Sequence, residues 1–454
     1  MIKLNLWLIA IIIIMMKSLA FAQPDTLWTK TYGGSDEDIG ASVQQTTDNG
    51  YIICAYTMSY GPGSYDVYLI KTDADGDTLW TKIFGGTAWD FGYSVQQTTD
   101  GGYIIAGVTY SYGAGSGDVY LIKTDADGDT LWIKTIGGTE DDRGYSVQQT
   151  TDGGYIIAGY SCSVSGFVPD AYLVKTDANG DTLWTKTFGS SNYWDEAFSV
   201  QQTTDNGYII AGRTDSYGAG DFDAYLIKTD ADGNTIWMKT FGGTDENWVY
   251  SVQQTTDNGY IIAGLTGDLD SGDVYLVKTD ADGNTQWTKT FGGVGDDRAF
   301  SVQQTTDNGY IIAGRTDSYG AGGFDVYLIK TDADGDTLWT KTFGGLGDDG
   351  GRWVQQTTDN GYIITGWTKS FGAGNYDIYL IKTESELGIE EESDNPIRHL
   401  HGPTIISGPL QLPETKEYRV FDVSGREIKP GHIKPGIYFI EVEGRIERKV
   451  VKIR

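Results

Sequence analysis

The apolar positions of this chain fall into short runs bounded by glycine, asparagine and aspartate, and the runs follow one recurring order. That order is SVQQTTD, a turn at Asn-Gly or Gly-Gly, YIIAG, a loop, DVYLIKTD, a turn at Ala-Asp-Gly, and DTLWTKTFGG. Valine, isoleucine, threonine, tyrosine and tryptophan dominate, and glycine lies in or beside every run. The pattern therefore predicts four β-strands joined by hairpins, and no helix. Runs such as Tyr103-Ile104-Ile105-Ala106 and Val119-Tyr120-Leu121-Ile122 do not alternate polar with apolar. Strands of that kind need cover on both faces.

The string Val-Gln-Gln-Thr-Thr-Asp begins at Val43, Val95, Val147, Val200, Val252, Val302 and Val354. A period of about 52 residues marks a propeller or a solenoid. A propeller covers both faces of each blade with its neighbours and leaves only short edges. The phase of the repeat favours a ring: the chain opens with an orphan outer strand at 25–34, and the last copy stops at Lys382 without one. The opening strand is expected to complete the final blade, as in the WD-repeat propellers, whose topology this resembles. A solenoid would want atypical caps at both ends. The expected fold is all-β, a seven-bladed β-propeller of four-stranded blades over residues 23–383, closed by the N-terminal strand. One outer-strand tryptophan per blade (Trp28, Trp80, Trp132, Trp184, Trp237, Trp287, Trp339) reads as blade packing, its indole N–H satisfied by a backbone carbonyl.

Both ends of the chain differ from this body. Residues 1–22 hold Lys3, an apolar run from Leu6 to Met16, and Ala20 and Ala22, the make-up of a cleaved signal peptide. The run is far shorter than the roughly 20 residues that span a bilayer, so no anchor is expected in the mature chain. Residues 384–403 are polar and acidic, a linker. Residues 404–454 show β-runs at 418–423, 437–442 and 449–453, expected to make a small β-sandwich. Val420-Phe421-Asp422 leading to Gly425-Arg426, then Pro435-Gly436-Ile437-Tyr438-Phe439, and the basic end with Lys449 and Lys452 resemble the type A sorting domain of type IX secretion substrates. This copy is shorter than usual between Ile428 and Gly436. The resemblance implies that the type IX machinery carries the protein to the outside or outer surface of a Gram-negative cell.

A formal charge of −30 argues against nucleic acid and anionic membranes as partners. Cys54 and Cys162 lie in different repeats, which does not suggest a disulfide framework. All three histidines, His399, His401 and His432, lie outside the ring, which removes Ser-His-Asp and Cys-His chemistry and imidazole metal sites from it. Turns such as Asp73, Asp75 and Asp77 resemble a calcium loop and the Asp-box of sialidase propellers, with neither match complete. A capped hairpin is the leading reading and a bound Ca²⁺ the alternative; no other cofactor is expected.

Variation between copies concentrates in two loops per unit, one after the outer strand, as at 35–39 and 87–91, and one after YIIAG, as at 58–65 and 110–117. In an up-and-down blade both emerge on one rim. That rim holds all five propeller arginines, Arg143, Arg213, Arg298, Arg315 and Arg352, with Trp89, Trp194, Trp248 and the recurrent Tyr60, Tyr112, Tyr217 and Tyr319. Aromatic platforms beside charged donors suit sugar or peptide recognition. The competing reading has the aromatics packing their own loops and the arginines pairing with neighbouring aspartates, Asp142 with Arg143 and Asp297 with Arg298. The expected function is a non-catalytic binding or scaffold protein, a monomer, with a glycan or extracellular protein as ligand. The alternative is a glycosidase-like enzyme using two of Asp36, Glu37, Glu140, Glu196 and Glu246 about 5–10 Å apart. A purely structural spacer is a third reading.

Overall fold

The computed structural model describes residues 23–386, apart from 164–166, 191 and 269, and, further on, residues 404–406, 418–422, 426, 428, 436–442 and 445–452. The expected leader, most of the linker and all three histidines lie outside the described residues. Every regular element described is a strand, and among the described residues no helix is long and apolar enough to cross a membrane.

Strand β1 (Thr26–Tyr32) comes first, then β2 (Asp38–Gln45), β3 (Tyr51–Thr57), β4 (Asp66–Thr72) and β5 (Thr78–Phe84), which pair in sequence order as the first blade. Blades two to six repeat this as β6–β9 (90–136), β10–β13 (142–188), β14–β17 (195–241), β18–β21 (247–291) and β22–β25 (297–343). The seventh has only β26 (Asp349–Gln356), β27 (Tyr362–Thr368) and β28 (Asp377–Thr383) from its own end of the chain, and β1 supplies the fourth strand. In that ladder Trp28 faces Lys382 and Tyr32 faces Ile378. Trp80 faces Lys71 in the same way inside the first blade. Residues 23–385 thus make one unit.

The unalternating runs are explained by where successive side chains go. Ile53 packs against Ile363 and Leu380 of the seventh blade, whereas Ile52 packs against Tyr103 and Ile105 of the second. Both middle strands of the blade are buried along their whole length, and β1 and β5 are partly exposed. Each large apolar side chain so buried contributes about 1.5–3 kcal/mol. Cys54 sits in one of these cores, and it and Cys162 are both buried free thiols.

The outer tryptophan of one blade stacks edge-on against the first tyrosine of the next blade's second strand: Trp28 on Tyr51 at 5.9 Å, Trp80 on Tyr103 at 5.9 Å, and so on round to Trp339 on Tyr362 at 6.1 Å. The indole N–H groups of Trp28 and Trp339 find no carbonyl and are buried without a partner. Their rings are placed by packing rather than by that bond.

The Gln-Gln pair has an equally specific task. The side-chain oxygen of Gln44 accepts the backbone N–H of Gln97 in the next blade at 2.6 Å, while Gln97 Oε1 accepts the N–H of Thr47 at 2.9 Å. Every junction repeats both bonds, including the one the chain does not cross, where Gln355 accepts from Gln45 at 2.7 Å and Gln45 from Thr358 at 2.9 Å. Two amide bonds per junction, each worth about 0.5–1.5 kcal/mol net, therefore link the blades into a circle.

The second unit's described strands, β29 (Thr404–Ile406), β30 (Tyr418–Asp422), β31 (Gly436–Val442) and β32 (Arg445–Lys452), form one sheet in the order β29-β32-β31-β30. Three match the expected runs, and β29 was not foreseen. It lies parallel to β32, a pairing distant in sequence. The second layer of the expected sandwich is not among the described residues. Gly436, Lys449 and Lys452 fall on β31 and β32, Arg426 follows β30, and Gly425 is outside the described residues.

Two glycines isolate the value of the tryptophan stack. A methyl on Gly76 (φ +78) would meet the Trp28 ring at 2.9 Å, whereas Gly101 (φ +85) has nothing within 4 Å. Both alanine variants bear the left-handed strain of about 1–2 kcal/mol. Gly76→Ala should lose about 1–3 kcal/mol more than Gly101→Ala in urea unfolding, and equal losses would contradict the stack.

Candidate functional site

Strand β2 runs from Asp38 at one rim to Gln45 at the other, and the two rims are built differently. On the Gln45 rim, Lys71 is buried, pairs with Asp48 at 2.9 Å and donates to the Thr72 carbonyl at 2.9 Å. Asp73 Oδ1 accepts the N–H groups of Asp75 and Asp77 at 3.0 and 2.8 Å, and Asp77 pairs with Lys30 at 2.7 Å. These carboxylates are occupied by the turn and by the neighbouring blade. Among the described residues no group of three or more Asp, Glu, His or Cys is disposed around a metal position.

On the Asp38 rim the two loops of each unit meet: Met58 N–H donates to the Glu37 carbonyl at 2.8 Å, and Tyr110 N–H to that of Trp89 at 2.9 Å. Beneath them, at six of the seven junctions, two aspartates face each other, one opening an inner strand and one opening the preceding blade's third strand, all buried but the part-exposed Asp273. At the first junction these are Asp90 and Asp66, both fully buried, around Gly85, where a Cβ would run into both carboxylates. Asp90 Oδ2 accepts Gly86 N–H at 2.8 Å and the Ser111 hydroxyl at 2.6 Å, Asp66 Oδ2 accepts Gly63 N–H at 3.0 Å, and both Oδ1 atoms are left without a partner. Burial first, and the facing Asp90 second, push the Asp66 carboxyl above its ordinary value; Asp118, Asp273, Asp325 and Asp377 shift the same way in their pairs. One junction differs, because Asn247 stands opposite Asp223.

The inner strand of every blade carries a β-bulge, seen as a shift in its ladder between Gly40 and Ser42, Gly92 and Ser94, Gly144 and Ser146, and at the equivalent place in the rest. A bulge re-aims one side chain out of the pleat. The unpaired residues are Ala41, Tyr93, Tyr145, Phe198, Tyr250, Phe300 and Arg352, and the inner strands touch one another around the axis. The five aromatic rings run in contact from blade to blade at 5.2–5.3 Å, a girdle around a partly open channel. SVQQ alone does not reveal this bulge; the signal was the aromatic residue that precedes it in five copies.

Nearer the varied rim lie the charged groups. Arg143 pairs with Asp141 at 2.9 Å and donates to Tyr110 at 2.7 Å, and Tyr110 and Tyr160 also donate to Asp141. Arg213 pairs with the buried Glu196 at 2.6 Å and lies between Trp248 at 3.9 Å and Phe222 at 4.5 Å. Burial raises the Glu196 carboxyl, against the pull of Arg213. Arg298 and Arg315 share the buried Asp296 at 2.7 and 2.6 Å, with Arg315 over Phe324 at 4.1 Å. Arg352 rests near the rings of Trp367 at 5.3 Å and Tyr56 at 5.8 Å.

The structure thus gathers the five arginines and Trp248 at one channel mouth. Trp89 is half exposed and reaches Arg143 through Tyr110, whose ring it meets at 6.3 Å. Trp194 is half exposed and without a ring partner among the described residues. Tyr60, Tyr112, Tyr217 and Tyr319 fasten loops, donating to the carbonyls of Gly33, Gly85, Gly189 and Gly292. The expected pairing of Arg143 with Asp142 and of Arg298 with Asp297 is wrong. Adjacent strand residues point to opposite faces, so Asp141 and Asp296, two positions away, are the partners, and Asp142 and Asp297 belong to the buried pairs.

No family model matches the chain. The regulatory protein FlaEY of Caulobacter vibrioides is 27% identical over 282 residues, which is 52% of this chain and 28% of that protein, so the chain spans little more than a quarter of the curated relative it matches. Among solved structures, Sqt1 from Chaetomium thermophilum is similar at TM-score 0.44 and 10% identity, over 76% of this chain and 82% of its own. PorZ, an essential bacterial surface component of the type-IX secretion system of Porphyromonas gingivalis, is similar at TM-score 0.47 and 11% identity, over 93% and 60%. Likeness at that level leaves function to be argued from the site.

The aspartate pairs make stability depend on pH. A carboxyl raised on folding adds stability that is complete below its unfolded value and is lost as pH climbs through the folded value. Asp48 has the opposite sign: despite burial, bonds from Thr46, Lys71 and Gly50 hold it down to about 2, so its contribution is complete above the ordinary carboxylate value and is lost as pH falls from there through about 2. The melting temperature should rise as pH falls through the raised values of these carboxyls toward the ordinary carboxylate range. Asp297→Asn, which copies the natural Asn247, should raise it by about 1–3 °C at pH 7 and flatten the profile. A profile unchanged by the substitution would contradict the repulsion.

Proposed function

We propose that this chain is an exported, non-catalytic binding protein that takes a glycan or protein ligand at the axial mouth of its varied rim. One observation carries the reading: seven bulges turn side chains into the channel, and the arginines and unlike loops cluster over that end alone, while the opposite rim repeats the same turns and ion pairs. Aromatic girdles with convergent polar groups are the composition of recognition sites. The paired carboxylates of a glycosidase are less well served, since Glu196 is buried on Arg213 and Glu37 accepts the Tyr65 hydroxyl at 2.9 Å.

Export is supported by the leader-like residues 1–22 and by the sorting-domain resemblance from Gly425 to Lys452. The chain is proposed to reach the outer surface or the medium of a Gram-negative cell as a monomer, with the type IX machinery as its partner in transit.

Two measurements test this. Glycan arrays and matrix-protein panels probed with the full chain should give hits that Arg213→Ala weakens about tenfold or more, with no hydrolysis of chromogenic glycosides; hydrolysis abolished by Glu196→Gln would reverse the order of the two readings. Removing residues 404–454 should leave the protein in the periplasm, and unchanged appearance outside would contradict the sorting role.

A further inference from the structure

On the Gln45 rim a cleft of about 450 Å³ opens between the first and second blades, within the range of small-ligand sites. Part of its lining is apolar, with Leu79 exposed and Trp80 partly exposed beside it. The rest is charged. Lys71 and Asp48 neutralise each other there at 2.9 Å, which leaves Asp127 as the uncompensated group. Asp127 is exposed on its turn, where its backbone N–H donates to Asp125 at 3.0 Å, and its carboxylate has no partner among the described residues.

A second open acceptor lies at the bottom of the cleft. Tyr103 is only 1% exposed and its ring is held by Trp80, yet its hydroxyl makes no hydrogen bond among the described residues. Burial, then Asp48, then Asp127 push that hydroxyl up to about 12, so the buried oxygen lies within the field of both carboxylates of the cleft. The arrangement recurs round the ring. Tyr51 feels Asp359 and Asp75, Tyr208 feels Asp152 and Asp232, and Tyr260 feels Asp205 and Asp282. Each is stacked by the tryptophan that follows an exposed Leu27, Leu183 or Ile236. At two further junctions one half of the pair is replaced, by Asn179 beside Leu131 and by Gln286 beside Asp334.

A free carboxylate and an unused hydroxyl oxygen next to an apolar wall suit a cation carried on an aliphatic stem, because such a stem packs on apolar surface while its charged head stays with polar groups. A body charge of −30 draws a polycation to this face. We propose that the interblade clefts of the Gln45 rim bind lysine side chains of a basic polypeptide, the ammonium between Asp127 and the Tyr103 hydroxyl and the stem along Leu79. This is a second binding face, separate from the varied rim, and it stands whether or not that rim takes a ligand.

The test is calorimetric titration of the full chain with tetralysine, the same peptide acetylated on its side-chain amines, and cellotetraose. Tetralysine should bind, and the acetylated peptide should bind about fivefold or more weakly. Asp75→Asn, Asp127→Asn, Asp232→Asn and Asp282→Asn combined, which copy the natural Asn179, should weaken tetralysine by about the same factor. Removing four exposed carboxylates from the other rim by Asp221→Asn, Asp245→Asn, Asp268→Asn and Asp270→Asn measures the effect of net charge alone and should change the affinity by less than about twofold. Tyr51→Phe, Tyr103→Phe, Tyr208→Phe and Tyr260→Phe combined keep every ring in its stack and should weaken tetralysine about twofold or more. Equal weakening by the two aspartate sets would show diffuse attraction to an acidic body and overturn the clefts. Indifference to acetylation, or no binding of tetralysine at all, overturns the ammonium. Tighter binding of cellotetraose than of tetralysine overturns the cation in favour of a neutral saccharide.

Discussion

Every other feature of the first unit depends on β1 pairing with β28. Without that ladder the seventh blade is a three-stranded sheet with an open edge, and the cores on either side of it are uncovered. The pairing is reinforced from both ends of the chain: Glu384 N–H donates to the Asp25 carbonyl at 2.8 Å, and Lys341 reaches the Pro24 carbonyl at 2.6 Å. Elsewhere the matching lysine reaches the last residue of the next blade's turn, an aspartate as for Lys82 and Asp129 or an asparagine as for Lys186 and Asn234. At the junction where the chain enters and leaves the ring there is no such turn, and the entering backbone takes its place.

Closure also explains why the two rims have diverged. The Gln45 rim carries the interblade glutamine bonds, the buried lysines and the outer ion pairs, so each of its residues is constrained by a neighbour. At the Asp38 rim the constraint ends with the aspartate pairs and the glycines between them. Loops above that layer are free to differ, and the bulges below it aim seven side chains at a shared axis. Such a division leaves a rigid body presenting a variable mouth, the arrangement on which the recognition reading depends.

Much of this was legible in the residues. Continuous apolar runs meant two covered faces, and the orphan strand at 25–34 meant a circle. What was not legible follows from one physical fact, that strand side chains alternate with a period of two. A single bulge shifts that count by one, so the axial ring of Tyr93, Tyr145 and Tyr250 could not be separated from strand-packing residues. Counting neighbours along the chain likewise chose Asp142 for Arg143, where alternation gives Asp141. The parallel partner of β32 came from a stretch, 404–406, too short and too distant to stand out.

The direct test of the account is to delete residues 23–34 and then add them back as a free peptide. The shortened chain should lose its single cooperative melting transition, and the peptide should restore it in a saturable way, since the register of β1 on β28 is specified by Trp28 and Tyr32. A deletion variant that melts as the full chain does, with no response to the peptide, would show that the circle is not held by this strand.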